Sequence, residues 1–424
     1  MNTRVVITGM GILSANAHGL TEYEAALRGM RSGVRHIPLL EELKFACQLV
    51  AAPQNVDTIK HEYLSEESLL AMNSSMIFGA IAAIDCWRDA GLHYPQADDQ
   101  SVHWDTGAFI GTGIGGVDTI GERVVPFTNE GNVRRLGSTM VEQSMVSSAS
   151  ANIGGLLGLG GQVTTNSSAC TTGTEALANA FYAIKSGRLR RVLAGATEGM
   201  STYIYSTFDA MRVLARGLND RPTEASRPMS ATAAGFVPAA GAGMLMLESL
   251  ESAVARGARI YAEIIGTHIN CGGQRNGGSI SAPNPEGVQH CIQGALQMAG
   301  IDYHSIDLIN GHLTATMADP MEIHNWQKAL GCAPEALPLI NSTKSLIGHA
   351  LGAAGGIECV ASVLQLHRGF VHGSANCEDL HPKLEAFASR IVHQTQAIDA
   401  KILAKASFGF GDVNACLLFK RWDS

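Results

Sequence analysis

Two successive series of apolar strand segments, each alternating with helical segments, constrain the fold of this 424-residue chain more than any other feature. The first series opens at residues 4–13, a β-branched run that ends in a glycine turn, and continues with a helical period over residues 71–91. The second series opens at residues 259–266 and ends at residues 415–419. Apolar strands that alternate with helices are typical of α/β proteins whose sheets are covered on both faces. We therefore expect an α/β fold with a duplicated layered core, whose halves meet near residues 250–258.

The composition predicts a large core and argues against both nucleic-acid binding and a membrane span. Hydrophobic residues make up 46% of the chain and charged residues 16%, as expected when much surface is buried, for example in an oligomer. The net charge is −8 and there is no basic tract, so we expect no binding to nucleic acid. Residues 231–247 lack charge, but a proline and several glycines there predict buried strands and turns rather than a membrane span.

The cysteines and the start of the chain bear on the cellular compartment. The nine cysteines are odd in number and form no C-x-x-C pair, so neither a disulfide framework nor a metal site is expected. The chain enters a strand-like run at once, without the apolar segment of a secretory signal. Together these features predict a protein of the reducing cytoplasm.

Two glycine clusters resemble parts of a dinucleotide-binding motif. Gly9-Met-Gly11 and the run 111–116 each follow a predicted strand. Neither has the full G-x-G-x-x-G register with a helix start and a partnered acidic residue, so we expect close backbone packing at turns instead. No G-x-x-x-x-G-K-[ST] motif is present in the sequence, which excludes phosphate-loop chemistry.

Cys170 is the strongest candidate for a catalytic residue. It stands in the run Ser168-Ala-Cys-Thr-Thr-Gly173, directly before a helical period that begins at Glu175. At such a strand-to-helix junction, backbone N–H groups and the helix dipole stabilise a thiolate. The alternative is a small buried hydrophobe, which is the usual role of a free cysteine.

Three later segments supply the other groups that a catalytic thiol needs. His312 follows an apolar strand, His349 precedes a helix of small residues, and Lys344 lies just upstream of it. Thr314 and Thr316 alternate with His312, which would direct their hydroxyls along a ligand channel. Each residue also has an ordinary interpretation, as a core histidine, a surface lysine or a strand threonine. The cysteine, the two histidines, the lysine and a glycine-rich turn in this order indicate carbon–carbon bond formation on a thioester.

Over nearly its full length the chain resembles the β-ketoacyl-acyl-carrier-protein synthases of the elongating type. The motifs that carry the resemblance are Arg4-Val-Val-Ile-Thr-Gly-Met-Gly11, Gly113-Ile-Gly-Gly116, Ser168–Gly173, Ala225-Ser-Arg-Pro228, Gly235-Phe-Val237, Lys344, Gly348-His349, Gly352–Gly355, Glu358 and Phe408-Gly-Phe-Gly411. The resemblance implies a thiolase-like fold, a duplicated α/β/α/β/α core with mixed five-stranded sheets. It implies an N-terminal half at residues 1–252 with the nucleophile and a C-terminal half at residues 253–424 with the two histidines.

The resemblance also implies a mechanism. Cys170 would accept an acyl group, and His312 and His349 would bind the malonyl thioester carbonyl and stabilise the enolate formed by decarboxylation. The backbone N–H groups of Cys170 and Phe410 would form the oxyanion hole. Lys344 and Glu358 match the pair that orients the histidine side of the site.

Binding residues follow from the same resemblance. Thr314 and Thr316 match positions that hold the phosphopantetheine arm, which arrives on the carrier protein, so that no cofactor of the chain's own is expected. Three apolar positions match residues that gate or line the acyl pocket, namely Ile114, Phe408 and Phe410. Three basic positions match residues that dock an acidic acyl carrier protein, namely Arg134, Arg135 and Arg212. The family implies a homodimer, and a heterodimer with a related subunit is the alternative.

Four departures from the family pattern suggest a specialised synthase of a polyketide or other secondary pathway. Leu313 puts a bulky group beside the predicted channel, and Ala240 replaces an acidic residue. Asp412 replaces a glycine and brings a potential charge near the oxyanion turn, and Met229 replaces an aromatic residue.

Two other functions stay open at this point. A chain-length-controlling partner subunit typically lacks the nucleophile, whereas Cys170 is present; the chain could instead be the active half of a heterodimer. A non-decarboxylative acyltransferase of the thiolase type would use a second cysteine near the C-terminus. Cys416 is the nearest candidate, but its apolar surroundings predict a buried strand.

Overall fold

The computed structural model describes residues 3–96 and 98–423. The strands are β1 (Val5–Ser14), β2 (Ala17–His18), β3 (Val34–His36), β4 (Leu49–Ala51), β5 (Thr106–Gly111), β6 (Val163–Thr164), β7 (Arg191–Glu198), β8 (Gly241–Ser249), β9 (Ala262–Cys271), β10 (Leu308–Asn310), β11 (Leu339–Asn341), β12 (Phe370–Val371), β13 (Gln396–Ala397), β14 (Ile402–Gly409) and β15 (Val413–Arg421). The α-helices are α1 (Leu20–Arg28), α2 (Pro38–Glu42), α3 (Val56–Tyr63), α4 (Glu66–Leu70), α5 (Ser74–Asp89), α6 (Val117–Thr119), α7 (Val125–Asn129), α8 (Met140–Ser144), α9 (Ser148–Leu156), α10 (Thr172–Lys185), α11 (Thr202–Ala210), α12 (Leu250–Ala255), α13 (Pro285–Ala299), α14 (Asp319–Leu330), α15 (Lys344–Ile347) and α16 (Ala354–Arg368).

The two halves of the chain repeat one pattern of strand pairing. In the first half β6, β5 and β7 pair in parallel, and β7, β8 and β1 pair antiparallel. In the second half β11, β10 and β14 pair in parallel, and β14, β15 and β9 pair antiparallel. The corresponding strands also occur in the same chain order, so the predicted duplication with five-stranded mixed sheets is confirmed.

The two five-stranded sheets join edge to edge. Val5 to Ile7 of β1 pair antiparallel with Ile264 to Ala262 of β9, which makes one continuous path of strands from β11 to β6. Every residue of β1 is buried, as expected for a strand between two neighbours with both faces covered.

Helices separate the strands into layers. α5 packs against β1 and β8, and α13 packs against β9 and β15. Between the two sheets lie α10 and α16, which contact each other and strands of both halves. Their close crossing requires glycine, because a Cβ atom at Gly173 would lie 2.4 Å from the backbone nitrogen of Gly356. The order of layers is therefore α/β/α/β/α.

The segments that follow β6, β10, β11 and β14 carry five of the predicted site residues, namely Cys170, His312, Lys344, His349 and Phe410. These four strands pair in parallel within each half, and their carboxyl ends are the usual position of active sites in α/β sheets. Residues 231–247, the least polar stretch, form a turn region and most of β8. Within residues 3–96 and 98–423 no helix has the length and apolar character to cross a membrane.

Candidate active site

One cavity of about 670 Å³ brings most of the predicted site residues together. The predicted residues that line it are Cys170, Arg212, His312, Thr314, Thr316, His349, Phe408 and Phe410. Lys344 and Glu358 are fully buried behind the two histidines. Residues that are far apart in the chain thus meet at the strand ends, between the two halves.

The environment of Cys170 differs from the one expected for a stable thiolate. The residue is half-buried, two positions before the first residue of α10, and Ala169 holds a left-handed conformation (φ 48°) that turns the chain there. Burial raises the pKa of Cys170 to about 11, against the opposing effects of the Lys344 charge and the Phe410 N–H. The resting group is therefore a thiol, because desolvation outweighs the groups that favour the anion.

The Nε2 atom of His349 faces this thiol, and a contact on the other ring nitrogen fixes the tautomer. Its Nε2 lies 3.1 Å from the Sγ of Cys170, and its Nδ1 accepts a hydrogen bond from the N–H of Leu351 at 3.2 Å. Burial and the nearby lysines Lys344 and Lys405 lower the pKa of His349 well below its ordinary value, so the ring is neutral. Since Nδ1 is occupied as an acceptor, the proton of the neutral ring lies on Nε2 and points at Cys170.

His312 has the same tautomer for a related reason. The Nζ of Lys344 lies 3.4 Å from its Nδ1, and an ammonium group can only donate there. Burial, with the charge of Lys344 next in importance, lowers the pKa of His312 well below its ordinary value. The ring centroids of the two histidines are 5.3 Å apart. Both imidazoles therefore present an Nε2–H donor to the same part of the cavity.

These donors suit an oxyanion and not a metal ion. The reactive atoms of Cys170, His312 and His349 lie within 4.8 Å of one another, close enough for three ligands of one ion. A histidine that binds a metal through Nε2 normally donates its Nδ1–H to an acceptor. Here both Nδ1 atoms face donors instead, so neither Nε2 has a free lone pair. The site can stabilise negative charge that develops on a thioester oxygen.

Two buried carboxylates, which sequence reasoning missed, shape the loop that carries His312. Glu322 accepts the backbone N–H groups of His312 and Leu313 at 2.6 and 2.7 Å. Asp319 accepts those of Thr314 and Ala315 at 2.8 and 3.0 Å. Burial raises the pKa of Glu322 to about 7 and that of Asp319 to about 6. The loop is thus fixed by carboxylates at the start of α14, a position that the sequence pattern alone could not connect with catalysis.

Glu198, which the sequence analysis also missed, binds backbone N–H groups of the loops on the other side of the cavity. Its carboxylate accepts N–H groups from Gly113 (2.9 Å), Ile114 (3.2 Å) and Gly352 (3.0 Å). Because Gly352 lies just after His349, one side chain of β7 links the glycine turn after β5 to the histidine segment. Burial raises the pKa of Glu198 above its ordinary value, while these N–H groups act in the opposite direction.

Three other predicted binding residues lie outside the cavity. Ile114 is half-buried in the glycine turn and packs against the larger hydrophobic core. Arg134 and Arg135 are exposed on a 3-10 turn, Val133–Arg135, where the Arg135 guanidinium lies 5.6 Å from the centre of the Phe127 ring. Of the three predicted docking arginines only Arg212, which is exposed, borders the cavity.

Three of the four departures from the family pattern are core residues. Leu313 was predicted to put a bulky group beside the channel. Instead it is completely buried in the hydrophobic core of the C-terminal half and does not line the cavity. Met229 joins the same core, with a backbone N–H that donates to Asp319. Ala240 is buried in the larger core. The bulk of Leu313 is therefore taken up by packing and leaves the channel free.

The fourth departure, Asp412, directs its carboxylate to the loop 272–284. Its buried carboxylate accepts the N–H groups of Gln274 at 2.8 Å and Asn284 at 2.7 Å. A Cβ atom at Gly272 would lie 2.4 Å from this carboxylate, so the loop needs glycine to enclose it. Asp412 thus fastens the loop 272–284, which reaches the cavity through Ser281, to the turn after Phe410.

Replacing Asp412 with alanine is expected to free this loop. The two lost hydrogen bonds to a buried charged acceptor are worth about 1.5–3 kcal/mol each, so amide exchange in residues 272–284 should accelerate at least tenfold. Hydrogen–deuterium exchange measured by mass spectrometry checks this. Asp302→Ala, which removes an exposed carboxylate that caps a 3-10 turn elsewhere, is the control. Unchanged exchange in residues 272–284 would contradict the assignment.

Comparisons with known proteins agree with this geometry. The family model for the N-terminal domain of beta-ketoacyl synthases matches residues 2–253, and that for the C-terminal domain matches residues 261–378. The 3-oxoacyl-[acyl-carrier-protein] synthase 1 of Haemophilus influenzae is 33% identical over 425 residues, which cover 99% of each chain. The synthase 1 of Escherichia coli strain K12 is also 33% identical, over 427 residues and 99% of each chain.

Solved structures give the same result. The ishigamide ketosynthase/chain length factor superimposes with a TM-score of 0.89 at 27% identity, over 100% of both chains. A type II polyketide ketosynthase, solved in complex with its acyl-carrier protein and bound to the hexaketide, gives a TM-score of 0.88 at 26% identity, again over 100% of both chains. The chain therefore belongs to the beta-ketoacyl synthase family, whose members are acyltransferases that form carbon–carbon bonds.

Proposed function

We propose that this chain catalyses a decarboxylative Claisen condensation between an acyl group held on Cys170 and a malonyl group on acyl carrier protein. The product is a β-ketoacyl-carrier protein. The observation that carries the proposal is a thiol in one cavity with two neutral imidazoles, each of which presents an Nε2–H donor. The family membership and the names of the relatives support the same reaction.

The first half-reaction transfers the acyl group to the enzyme. The Sγ of Cys170 attacks the carbonyl carbon of the incoming thioester, and the N–H groups of Cys170 and Phe410 bind the oxygen that becomes negative. The bond to the phosphopantetheine sulfur then breaks, and that sulfur leaves as a thiol with the proton that Cys170 gave up. The acyl group is now a thioester of Cys170.

The second half-reaction forms the new carbon–carbon bond. The Nε2–H groups of His312 and His349 bind the carbonyl oxygen of the malonyl thioester, so loss of carbon dioxide leaves an enolate that they stabilise. The enolate carbon attacks the acyl-cysteine carbonyl, the bond to the Cys170 sulfur breaks, and the departing thiolate takes a proton from solvent to restore the resting thiol. As carbon dioxide leaves, the negative charge of the malonyl carboxylate moves to the thioester oxygen, which two neutral donors hold, so neither ring needs to titrate.

The cavity walls suit a phosphopantetheine arm delivered by a carrier protein. The hydroxyls of Thr314 and Thr316 lie 3.0 Å apart on one wall and can bind the amides of the arm. Arg212 borders the cavity, and we assign it with Arg134 and Arg135 to docking of an acidic acyl carrier protein. We assign Ile114, Phe408 and Phe410 to the acyl pocket and expect no resident cofactor.

A second copy of the chain, or a related subunit, is the expected oligomeric partner. β6 ends the path of strands, and no strand within residues 3–96 and 98–423 pairs with its outer edge, which could therefore accept a strand of another subunit. The segment between β5 and α9 exposes several large apolar side chains, namely Ile120, Val125, Val133, Val141, Met145 and Val146. A role as chain-length subunit alone is disfavoured, because the cysteine and both histidines are present and correctly placed.

The domain boundary, compartment and pathway complete the proposal. We place the boundary between residues 252 and 253; the repeated strand pattern supports a boundary between β8 and β9, the interval that holds α12 (Leu250–Ala255). The nine cysteines are free thiols, which supports the cytoplasm. Relatives are named 3-oxoacyl-[acyl-carrier-protein] synthases and solved neighbours include a type II polyketide ketosynthase, so we place the reaction in fatty-acid-like or polyketide metabolism.

The proposal is tested with a panel of acyl-carrier thioesters and carboxyl-labelled malonyl-carrier protein. Intact-protein mass spectrometry should show an acyl adduct on the chain, and labelled carbon dioxide should be released when the malonyl substrate is added. An adduct without carbon dioxide would indicate a non-decarboxylative acyltransferase. Absence of both, with the chain alone and with candidate partner subunits, would refute the function.

The pH dependence of Cys170 alkylation provides a separate prediction. Because the thiolate is the nucleophile and the pKa is raised to about 11, the alkylation rate should rise about tenfold per pH unit between about pH 7 and 10. Mass spectrometry of the peptide that contains Cys170, after timed exposure to iodoacetamide, separates it from the exposed Cys271. A rate that levels off below about pH 8 would show instead the stabilised thiolate that the sequence pattern suggested.

A further inference from the structure

A second buried lysine lies beside the predicted Lys344–Glu358 pair. Lys405, on β14, is completely buried, and its Nζ lies 2.8 Å from the Oε2 of Glu358. Lys344 pairs with the other oxygen, Oε1. The two contacts differ in kind: Lys344 donates a hydrogen bond to Oε1, whereas Lys405 makes an ion-pair contact with Oε2, which accepts no hydrogen bond from the described residues.

The contacts of Lys405 connect the two sides of the active site. Its Nζ also donates to the Oγ of Ser407 at 3.3 Å, and that hydroxyl lies 2.8 Å from the Oγ1 of Thr174. Thr174 lies in the first turn of α10, four residues after Cys170. In the other direction Glu358 contacts Lys344, whose Nζ faces the Nδ1 of His312.

The charges in this cluster do not balance. Two basic side chains meet one carboxylate there, in a region shielded from water, so the formal charges of the three residues do not cancel. An uncompensated buried charge lowers stability, so packing alone does not account for a second lysine. A positive charge is useful where negative charge develops, as it does on the thioester oxygen beside His312 and His349.

We propose that Lys405 is a positioning residue for the decarboxylation step. Its ammonium group lies beside Oε2 and holds that side of the Glu358 carboxylate in place by charge attraction, so that Oε1 stays with Lys344 and the Lys344 Nζ stays directed at the Nδ1 of His312. That contact keeps the proton of His312 on Nε2, where it binds the malonyl carbonyl. The inference rests on the proposed condensation, and it adds a residue that lies outside the motifs through which the family was identified.

The test separates the two half-reactions in a Lys405→Met variant. The kcat for decarboxylation of malonyl-carrier protein should fall about tenfold, because a misdirected Lys344 leaves His312 without a fixed tautomer. The rate of Cys170 acylation should stay within about twofold of that of the unmodified protein. Folding should be retained, since the substitution removes the net charge and leaves the Lys344–Glu358 pair neutral. Lys405→Gln, which keeps a donor but no charge, serves as a second variant if the first is poorly folded.

Gln365→Met is the matched control. Gln365 is a fully buried polar residue of the same helix as Glu358, and it bonds to Asn341 and the N–H of His372 instead of the lysines. We expect this control to change both half-reactions by the same factor. If the Lys405 variants also lower both equally, or lower neither, the proposal is overturned. Failure of the proposed function itself would show as no carbon dioxide release from the unmodified protein.

Discussion

Replacing Cys170 with alanine is expected to abolish condensation, with product formation at least a thousandfold lower, because the reaction then lacks its nucleophile. The thiol is the one cysteine sulfur that lies beside the two histidines in the cavity, among the residues that the structure describes. No acyl adduct should form on the variant. The measurement is product formation from acyl- and malonyl-carrier protein, combined with intact-protein mass spectrometry.

Cys416→Ala is the matched control for this experiment. Cys416 is fully buried in β15, and burial raises its pKa to about 12, so it is neither accessible nor nucleophilic. The variant should retain activity within about twofold. Its stability should fall somewhat, because the substitution leaves a small cavity in the core. If Cys416→Ala were as inactive as Cys170→Ala, a thiolase-type mechanism with two catalytic cysteines would replace the condensing one.

Substitutions of the two histidines should separate donor chemistry from base chemistry. His312→Ala or His349→Ala should lower decarboxylation by about a hundredfold or more, the cost of removing one donor from an oxyanion site. The corresponding Gln variants should recover a large part of that loss, because a Gln side-chain amide can place an N–H close to the Nε2 position but cannot titrate. The rate is measured as labelled carbon dioxide released from malonyl-carrier protein.

His324→Ala serves as control for this series. His324 lies on α14 outside the lining of the cavity, where its Nδ1 contacts the carbonyl of Pro320. Decarboxylation by this variant should stay close to that of the unmodified protein. Equal loss in the Ala and Gln variants of His312 and His349 would instead point to a titrating role for the rings. The lowered pKa values of both rings argue against such a role.

The sequence predicted the architecture well because the fold depends on repeated local patterns. The apolar run at residues 4–13 became β1, and the helical period before Gly187 became α10. The order of Cys170, His312 and His349 likewise predicted residues that meet in one cavity. These signals are visible in a single chain, since strands, helices and motif spacing are properties of contiguous residues.

The parts that were missed depend on tertiary contacts. Glu198, Glu322 and Lys405 are buried charged residues whose partners lie far away in the chain, and no local pattern marks them. The tautomer of His349 follows from one backbone N–H, that of Leu351. The pKa of Cys170 is set by desolvation, which depends on how completely the two halves enclose the cavity.

The central helical layer couples the stability of the two halves. Because α10 and α16 contact each other and strands of both sheets, neither half can open without exposing apolar surface of the other. Local opening that reached this layer would therefore spread into global, cooperative unfolding. Cys170 precedes α10 and His349 precedes α16, so the protein would lose both of these predicted catalytic groups in the same transition. A destabilising substitution in either half would thus reduce the fraction of active molecules without producing a partly active intermediate.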